Sequence, residues 1–394
     1  MAVAVVAWSL GLFGASVFVH AIHTTTGLPV GLISSAVTAA YLLGAVAQLW
    51  IGSAVVRFGP GVVVPLAALT MAAGVVGLGV ASTAAHVYVA FLVWGAGWAC
   101  LSTTTITTTL APWFERHQGR AVSTALLGAS VGGMMGPPAL LFGIAHIGFP
   151  RTMLAAGCVL VGVAVPIALL ILRRRPAEMG LLPDGAAERA DVPSARPVVW
   201  TRAQALRTPA LWTVMLAFGI GLLVQIGFLT HHVRLLVPVL GAGGASLTVM
   251  ATAVTALLGR VALARFSDRL PVRALACGML LLAAALLVIV ALWPTAMALV
   301  IVSALYGITV AHVTTLFPIV VRREFGAASF GLVFGVAAAG VQVMSSLGPG
   351  FYGVLYDRFG GYAAPQLVAA ALDVVAAALV ASAGRPSAHH SDGS

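Results

Sequence analysis

LLGRVALARFSDRLPVR, residues 257–273, decides how the rest of the chain is read. Its first part continues an apolar run from about residue 244, long enough to cross a bilayer as a helix, and its end is an Asp/Arg turn closed by Pro271. A single arginine, Arg260, stands inside the apolar part. At the centre of a membrane helix an arginine costs about 3 kcal/mol on insertion scales, and less when it snorkels or faces a wet cavity. Two readings follow. Guanidinium stays protonated and matches a carboxylate with two parallel hydrogen bonds, so Arg260 anchors an anionic substrate. Alternatively Arg260, five residues from Arg265 and about 7.5 Å from it along the helix, snorkels to the same surface.

Working outward, the 394-residue chain is 61% hydrophobic and 8% charged, against roughly 25% charged residues in soluble domains. This is the composition of a polytopic membrane protein. The formal charge of +10 does not indicate a nucleic-acid partner, because the arginines sit in loops between apolar runs and not on a soluble face. All 20 basic residues are arginine and the chain has no Asn, so no lysine serves as an anchor and no N-glycosylation acceptor exists. Cys100, Cys158 and Cys277 fall in separate apolar runs without metal or disulfide spacing and read as small core residues.

Apolar runs bounded by Gly, Pro or charge place helices near 2–22, 31–50, 62–82, 87–110, 121–143, 150–172, 209–230, 244–265, 274–292, 295–320, 328–354 and 360–383. The fold class expected is an all-α membrane protein, with twelve transmembrane helices in two pseudo-symmetric six-helix bundles. The first run starts almost at Met1 without a charged leader and reads as a retained helix. Composition changes to Arg, Pro, Ala and Glu over 173–207, the linker between an N-terminal bundle (1–172) and a C-terminal bundle (208–384), with a tail at 385–394. An even span number puts both termini on one side. Sixteen of the 20 arginines lie in the loops, helix ends and tail of that side, with only Arg151, Arg234 and Arg358 opposite. Termini and linker are therefore expected in the cytoplasm, and the protein in the inner (plasma) membrane.

The halves repeat at an offset of 212 residues, which carries Arg57 to Arg269, Gly95 to Gly307, Gly128 to Gly340, and Gly136–Pro137 to Gly348–Pro349. Parallel six-helix repeats are a known transporter plan. The same offset carries His20 to His232, Trp94 to Tyr306 and Gln48 to Arg260, so the last pair breaks the symmetry. His20 and His232, with His231 beside them, flank the expected outer mouth. They are candidates for proton coupling, because imidazole titrates near neutral pH, or they are interfacial residues. His312 lies deeper and is either a cavity ligand or a satisfied structural group. Tyr306, Tyr41 and Gln48 are candidate cavity walls. Threonines of the run STTTITTT (102–109) bond back to their own helix or, on the cavity face, to a small oxyanion or hydroxyl. Asp373, the one acid well inside a span, reads as structurally paired or snorkelling. Asp268, Arg269 and Arg57 form bundle-locking loops. The glycines of 128–136 allow close helix approach, and Pro137 loosens the backbone for bending. A metal site from His20, His23, His231 and His232 would need their rings to converge. We expect no metal, no cofactor and no catalytic constellation.

These motifs resemble the major facilitator superfamily over nearly the whole chain, and within it the monocarboxylate transporter and oxalate:formate antiporter branch. GRVALARFSDR (259–269) looks like the loop motif between helices 8 and 9, and GASVGGMMGPP (128–138) like the Gly-Pro motif of helix 5. RRRPAEMGLLPDG (173–185) and SLGPGFYGVLYDRFGGY (346–362) resemble that branch's linker start and its helix 11 to 12 region. The resemblance implies alternating access of two bundles around a central site, with Arg260 binding the carboxylate. Two departures stand out. Val56 replaces the acid of the first-half loop motif, and Ala256 stands where the animal branch has an Asp one turn before the arginine, so no proton relay runs through such a pair. The expectation is a monomeric transporter, not an enzyme, that moves a small lactate- or pyruvate-like monocarboxylate with a proton. The rivals are an efflux antiporter for drugs or lipophilic compounds and a membrane sensor that does not transport.

Overall fold

The computed structural model describes residues 1–114, 117–174, 179, 200–266, 271–326 and 329–382, and all regular structure among them is helical. Eleven helical runs are long and apolar enough to cross a membrane. One of them, Pro209–Leu263, has 55 residues, or about 80 Å of rise against a hydrocarbon core of about 30 Å. It cannot be one span. Gly241, at φ 67° and ψ 175°, turns it back on itself; that left-handed φ is one a Cβ disfavours. The chain thus crosses twelve times.

The first span is broken into α1 (Ala2–Leu10) and α2 (Gly14–Thr26), and α3 (Val30–Phe58) and α4 (Pro60–Gly79) follow. The fourth span is divided between α5 (Ala84–Cys100) and α6 (Thr103–Leu110). Next come α7 (Gln118–Ile147) and α8 (Phe149–Ile167), the latter ending in a π-turn at Ala168–Leu172. A short α9 (Arg202–Leu206), held by a Thr201/Gln204 capping box, leads into α10 (Pro209–Phe266), the double span. After α11 (Val272–Leu292) and α12 (Ala296–Phe325), the eleventh span steps at Leu347 between α13 (Phe330–Ser346) and α14 (Gly348–Phe359), and α15 (Ala363–Ser382) is the twelfth. The near face carries the start of α1 and the end of α15; the far face carries the α2–α3, α14–α15 and Gly241 turns.

Four expected spans need correction. The second span runs to Phe58, so Arg57 lies in its last helical turn and not in a loop. Expected to stop at 230, the seventh continues through His231, His232 and Arg234, which a membrane helix tolerates because each finds a partner inside: Tyr362, Ser303 and Tyr356. The first and fourth spans, expected to be continuous, are interrupted at Gly11–Phe13 and at Leu101–Ser102.

Packing repeats along with sequence. A Cβ on Gly95 would lie 2.7 Å from Ala40 Cβ, and one on Gly307 would lie 2.3 Å from the Thr252 carbonyl. The offset of 212 carries both members of the first pair onto the second. In each half a glycine therefore lets the fourth helix of the bundle touch the backbone of the second. Likewise Gly128, Gly132 and Gly136 seat α7 on Met1, Val5 and Ser9 of α1, while Gly340 and Gly348 seat the eleventh span on Met215 and Leu223 of the seventh.

Candidate functional site

The break in the first span orphans backbone carbonyls at membrane depth, where no water replaces the lost bonds. Fully buried Trp94 supplies one partner, its Nε1–H donating to the Leu10 carbonyl at 2.9 Å. The Trp98 ring lies flat enough on Gly11 that any Cβ there would overlap it. Around Trp94 stand Tyr41 at 5.6 Å, Phe91 at 5.7 Å and Phe18 at 6.4 Å between ring centroids. The Tyr41 hydroxyl is buried with no hydrogen-bond partner among the described residues. Trp94→Phe keeps the ring but leaves the carbonyl unpaired, a loss of about 1–3 kcal/mol. The expected result is a lower melting temperature in detergent with the fold retained, measured by the shift in intrinsic-fluorescence unfolding.

At the matching place in the second half, Tyr306 is 1% exposed and packs on Phe228 at 4.3 Å. Phe228 in turn packs on His232 at 4.9 Å, whose Nε2 shares a 2.9 Å hydrogen bond with Ser303 Oγ. The two halves thus present aromatic walls of similar placement and different polarity.

Arg260 lies on the returning half of α10, 19 residues past Gly241 and six before Phe266, about 9 Å of rise from the near-face end of the helix. Its neighbour Gly259 is pressed onto the Ile308 backbone of α12. The Arg260 side chain is half-buried, and its Nε is buried with no hydrogen-bond partner among the described residues. No hydrogen bond joins it to Tyr41, Tyr306 or half-buried Gln48 among the described residues, so the candidate walls surround no preformed pair.

Three hydrogen bonds between described residues join the two halves, all at the far face. Gly31 N–H donates to Asp357 Oδ2 at 2.7 Å, and Gly350 N–H to Thr38 Oγ1 at 2.9 Å. Ser34 Oγ and His231 Nε2 lie 3.1 Å apart. The same Nε2 is 3.1 Å from the Pro349 carbonyl, and Nδ1 is 3.0 Å from the Tyr362 hydroxyl. A carbonyl only accepts, so Nε2 carries a proton and donates it to Pro349. Through Ser34, Pro349 and Tyr362, His231 ties α3, α14 and the start of α15 together. Glycines bring the helices this close: a Cβ on Gly353 would lie 2.6 Å from Ser34 Cβ and 2.9 Å from Gly31 Cα. Next to this latch, Arg234 donates to Tyr356 Oη at 3.1 Å and lies over its ring at 5.1 Å. It is also within electrostatic reach of His20, His231 and Tyr362.

The other sequence candidates fall as follows. Half-buried His20 has an Nδ1 without a partner among the described residues. His23 Nδ1 bonds the Leu28 carbonyl at 2.8 Å, while His231 and His232 engage separate groups, so the four histidines do not converge on one point. Exposed Arg57 lies 5.2 Å from the Phe58 ring. Gly136 and Pro137 are within α7, and Gly348 and Pro349 open α14. His312 lies on α12, but its side chain is outside the described residues, as are Asp268 and Arg269 entirely. The latch residues Ser34, Thr38 and Asp357 and the Trp94–Leu10 bond escaped the sequence reading. Only the glycines of GPGFYG at 348–353, a close-approach signal, hinted at the latch.

Solved structures that share the fold include the following two. A bacterial homologue of the human lysosomal transporter Spinster, in an inward-facing and unoccupied conformation, superposes with a TM-score of 0.73 at 15% identity, covering 96% of this chain and 95% of that one. The same kind of homologue in an inward-facing and occupied conformation gives 0.72 at 16% identity, covering 96% and 94%. No curated protein matches the chain in sequence. The family model of the Major Facilitator Superfamily matches residues 1–349, and the chain belongs to that superfamily.

Proposed function

We propose that the protein is a secondary active transporter of a small monocarboxylate, lactate- or pyruvate-like, driven by a proton gradient and working by alternating access. The observation that carries the reading is Arg260: a guanidinium inside a membrane span, half-buried, with Nε unpartnered among the described residues. Such a charge is costly unless an anion meets it, and a carboxylate meets it with paired charge-assisted hydrogen bonds. Gln48, its repeat mate, is neutral, so the site is asymmetric and binds one carboxylate, not two. Tyr41 and Tyr306 are the aromatic candidates for the wall, and His312 is a further candidate by its sequence position.

The arginine bias makes the near face cytoplasmic, with the 173–207 linker on that side. On that assignment the far-face latch closes the outer gate, and the conformation described is the inward-facing one. His231 binds the gate through Ser34 and Pro349, with His20 and His232 nearby, while Gly136–Pro137 and Gly348–Pro349 bend with it. Arg57, with Asp268 and Arg269 at the matching place in the sequence repeat, holds the inner gate in the opposite state.

The experiment is uptake of labelled lactate, pyruvate and oxalate into proteoliposomes with and without an inward-directed proton gradient. Gradient-stimulated uptake of a monocarboxylate, competed by unlabelled short-chain acids, is expected. Correctly folded protein that takes up none of the three contradicts the reading.

A further inference from the structure

Asp373 lies in α15, 1% exposed, and its Oδ1 has no hydrogen-bond partner among the described residues. A buried carboxylate needs a cation or several donors; without them the acid keeps its proton. Among the described residues neither is supplied to Oδ1. Helices α10, α11, α12 and α14 make up this part of the C-terminal bundle, and no hydrogen bond or ion pair joins a described charged group of theirs to Asp373; Arg260 of α10, its Nε also without a partner among the described residues, makes none with it. Arg273 of α11 pairs with Glu324 of α12 at 2.6 Å and bonds the Val380 carbonyl at 2.7 Å, two turns nearer the near face. On α10, Arg234 is on Tyr356, and His231 and His232 are on the groups given above. On α14, Asp357 accepts from Gly31. The titratable groups within electrostatic reach of Asp373 are the phenols of Tyr306 on α12 and Tyr352 on α14.

Tyr352 connects this acid to the latch. Its ring stacks on His231 at 5.7 Å and 28°, and its hydroxyl donates to Gln366 Oε1 at 3.4 Å, seven residues before Asp373 on the same helix. Tyr352 belongs to α14, the segment beyond the step at Leu347 that supplies the C-terminal latch contacts of Gly350, Gly353 and Asp357. When the latch opens, α14 parts from α3, and the Tyr352–Gln366 bond is the contact through which that movement reaches the helix carrying Asp373.

We propose that Asp373 is the proton-binding site of this transporter: it holds a proton while the far face is latched and exchanges it with water when α14 lifts away. In the exchange the carboxyl O–H bond breaks, its electron pair stays on the carboxylate, and a water molecule takes the proton. Tyr306 places the same acid behind the aromatic wall of the substrate site. The proposal rests on the reading of the chain as a proton-coupled transporter, and assigns the coupled proton to Asp373, with His231 reporting the state of the gate.

Infrared spectra of the purified full-length protein in lipid nanodiscs test the site without any substrate. The expected spectrum at neutral pH contains a protonated-carboxyl stretch that is absent from Asp373→Asn and retained, shifted, in Asp373→Glu. The band should weaken in a variant that holds the far face open, such as Gly353→Leu. A wild-type spectrum in which Asp373 contributes an ionised carboxylate overturns the assignment. In proteoliposomes, the ratio of gradient-driven uptake to gradient-free counterflow should fall at least tenfold in Asp373→Asn, and an unchanged ratio likewise overturns it. Should Asp373→Asn fail to fold, Asp373→Glu and the pH titration of the wild-type band decide the same question. If the wild-type protein moves no carboxylate, the infrared result still stands for Asp373, and the substrate reading alone fails.

Discussion

Replacing Gly353 with leucine is expected to hold the far face open and to reduce transport at least tenfold. In the latched state a single Cβ at this position already lies 2.6 Å from Ser34 Cβ and 2.9 Å from Gly31 Cα, both on the opposing bundle. These are parts of helix backbones or atoms rooted in them, so the clash cannot be relieved by turning a flexible side chain. Overpacking of that kind costs about 1–3 kcal/mol, enough to shift a two-state equilibrium by about 5- to 150-fold. Only the latched state pays this cost. Accessibility reads it out: a cysteine at Ser35, with Cys100, Cys158 and Cys277 replaced by alanine, should react faster with a membrane-impermeant maleimide from the far side in Gly353→Leu than with Gly353 present. Unchanged labelling and unchanged transport would mean that the contact between α3 and α14 does not gate the protein.

Arg260→Gln is expected to abolish carboxylate uptake, and Arg260→Lys to restore little of it. Glutamine keeps much of the length and some hydrogen-bonding capacity but loses the charge. Removing one member of a buried, hydrogen-bonded charge pair costs about 2–5 kcal/mol, which corresponds to about 30- to 5,000-fold in affinity at 1.4 kcal/mol per tenfold. Lysine keeps the charge but loses the planar fork that engages both carboxylate oxygens. Because Nε of Arg260 has no partner among the described residues, neither substitution orphans another protein group. Both variants should therefore fold and keep the wild-type elution profile. Wild-type uptake by either one would return Arg260 to the snorkelling reading.

Much of the architecture was legible because a bilayer makes composition speak: runs of about 20 apolar residues must be helices, and the arginines separate them. The repeat was equally legible, since Gly95 and Gly307 mark the same close approach in both halves. What escaped depends on contacts between distant residues. No local signal shows that the helix breaks at Gly11, because the break is sustained by Trp94, 84 residues away in sequence. The symmetric histidines His20 and His232 drew attention through the offset, yet the one that bridges the halves is His231. One residue along a helix is a rotation of about 100°, which turns the ring from Ser303 within its own bundle to Ser34 of the other. Asp373 read as a structural residue because a sequence cannot show that a carboxyl oxygen lacks a partner.

The most direct test of the central claim, that this chain carries a monocarboxylate between two alternating states, is entrance counterflow. Proteoliposomes loaded with unlabelled lactate or pyruvate are diluted into a trace of the labelled acid, with no proton gradient and no membrane potential. The account predicts a transient accumulation of label above its equilibrium level that is absent with Arg260→Gln. Label that only equilibrates, at the rate of protein-free liposomes, would contradict it.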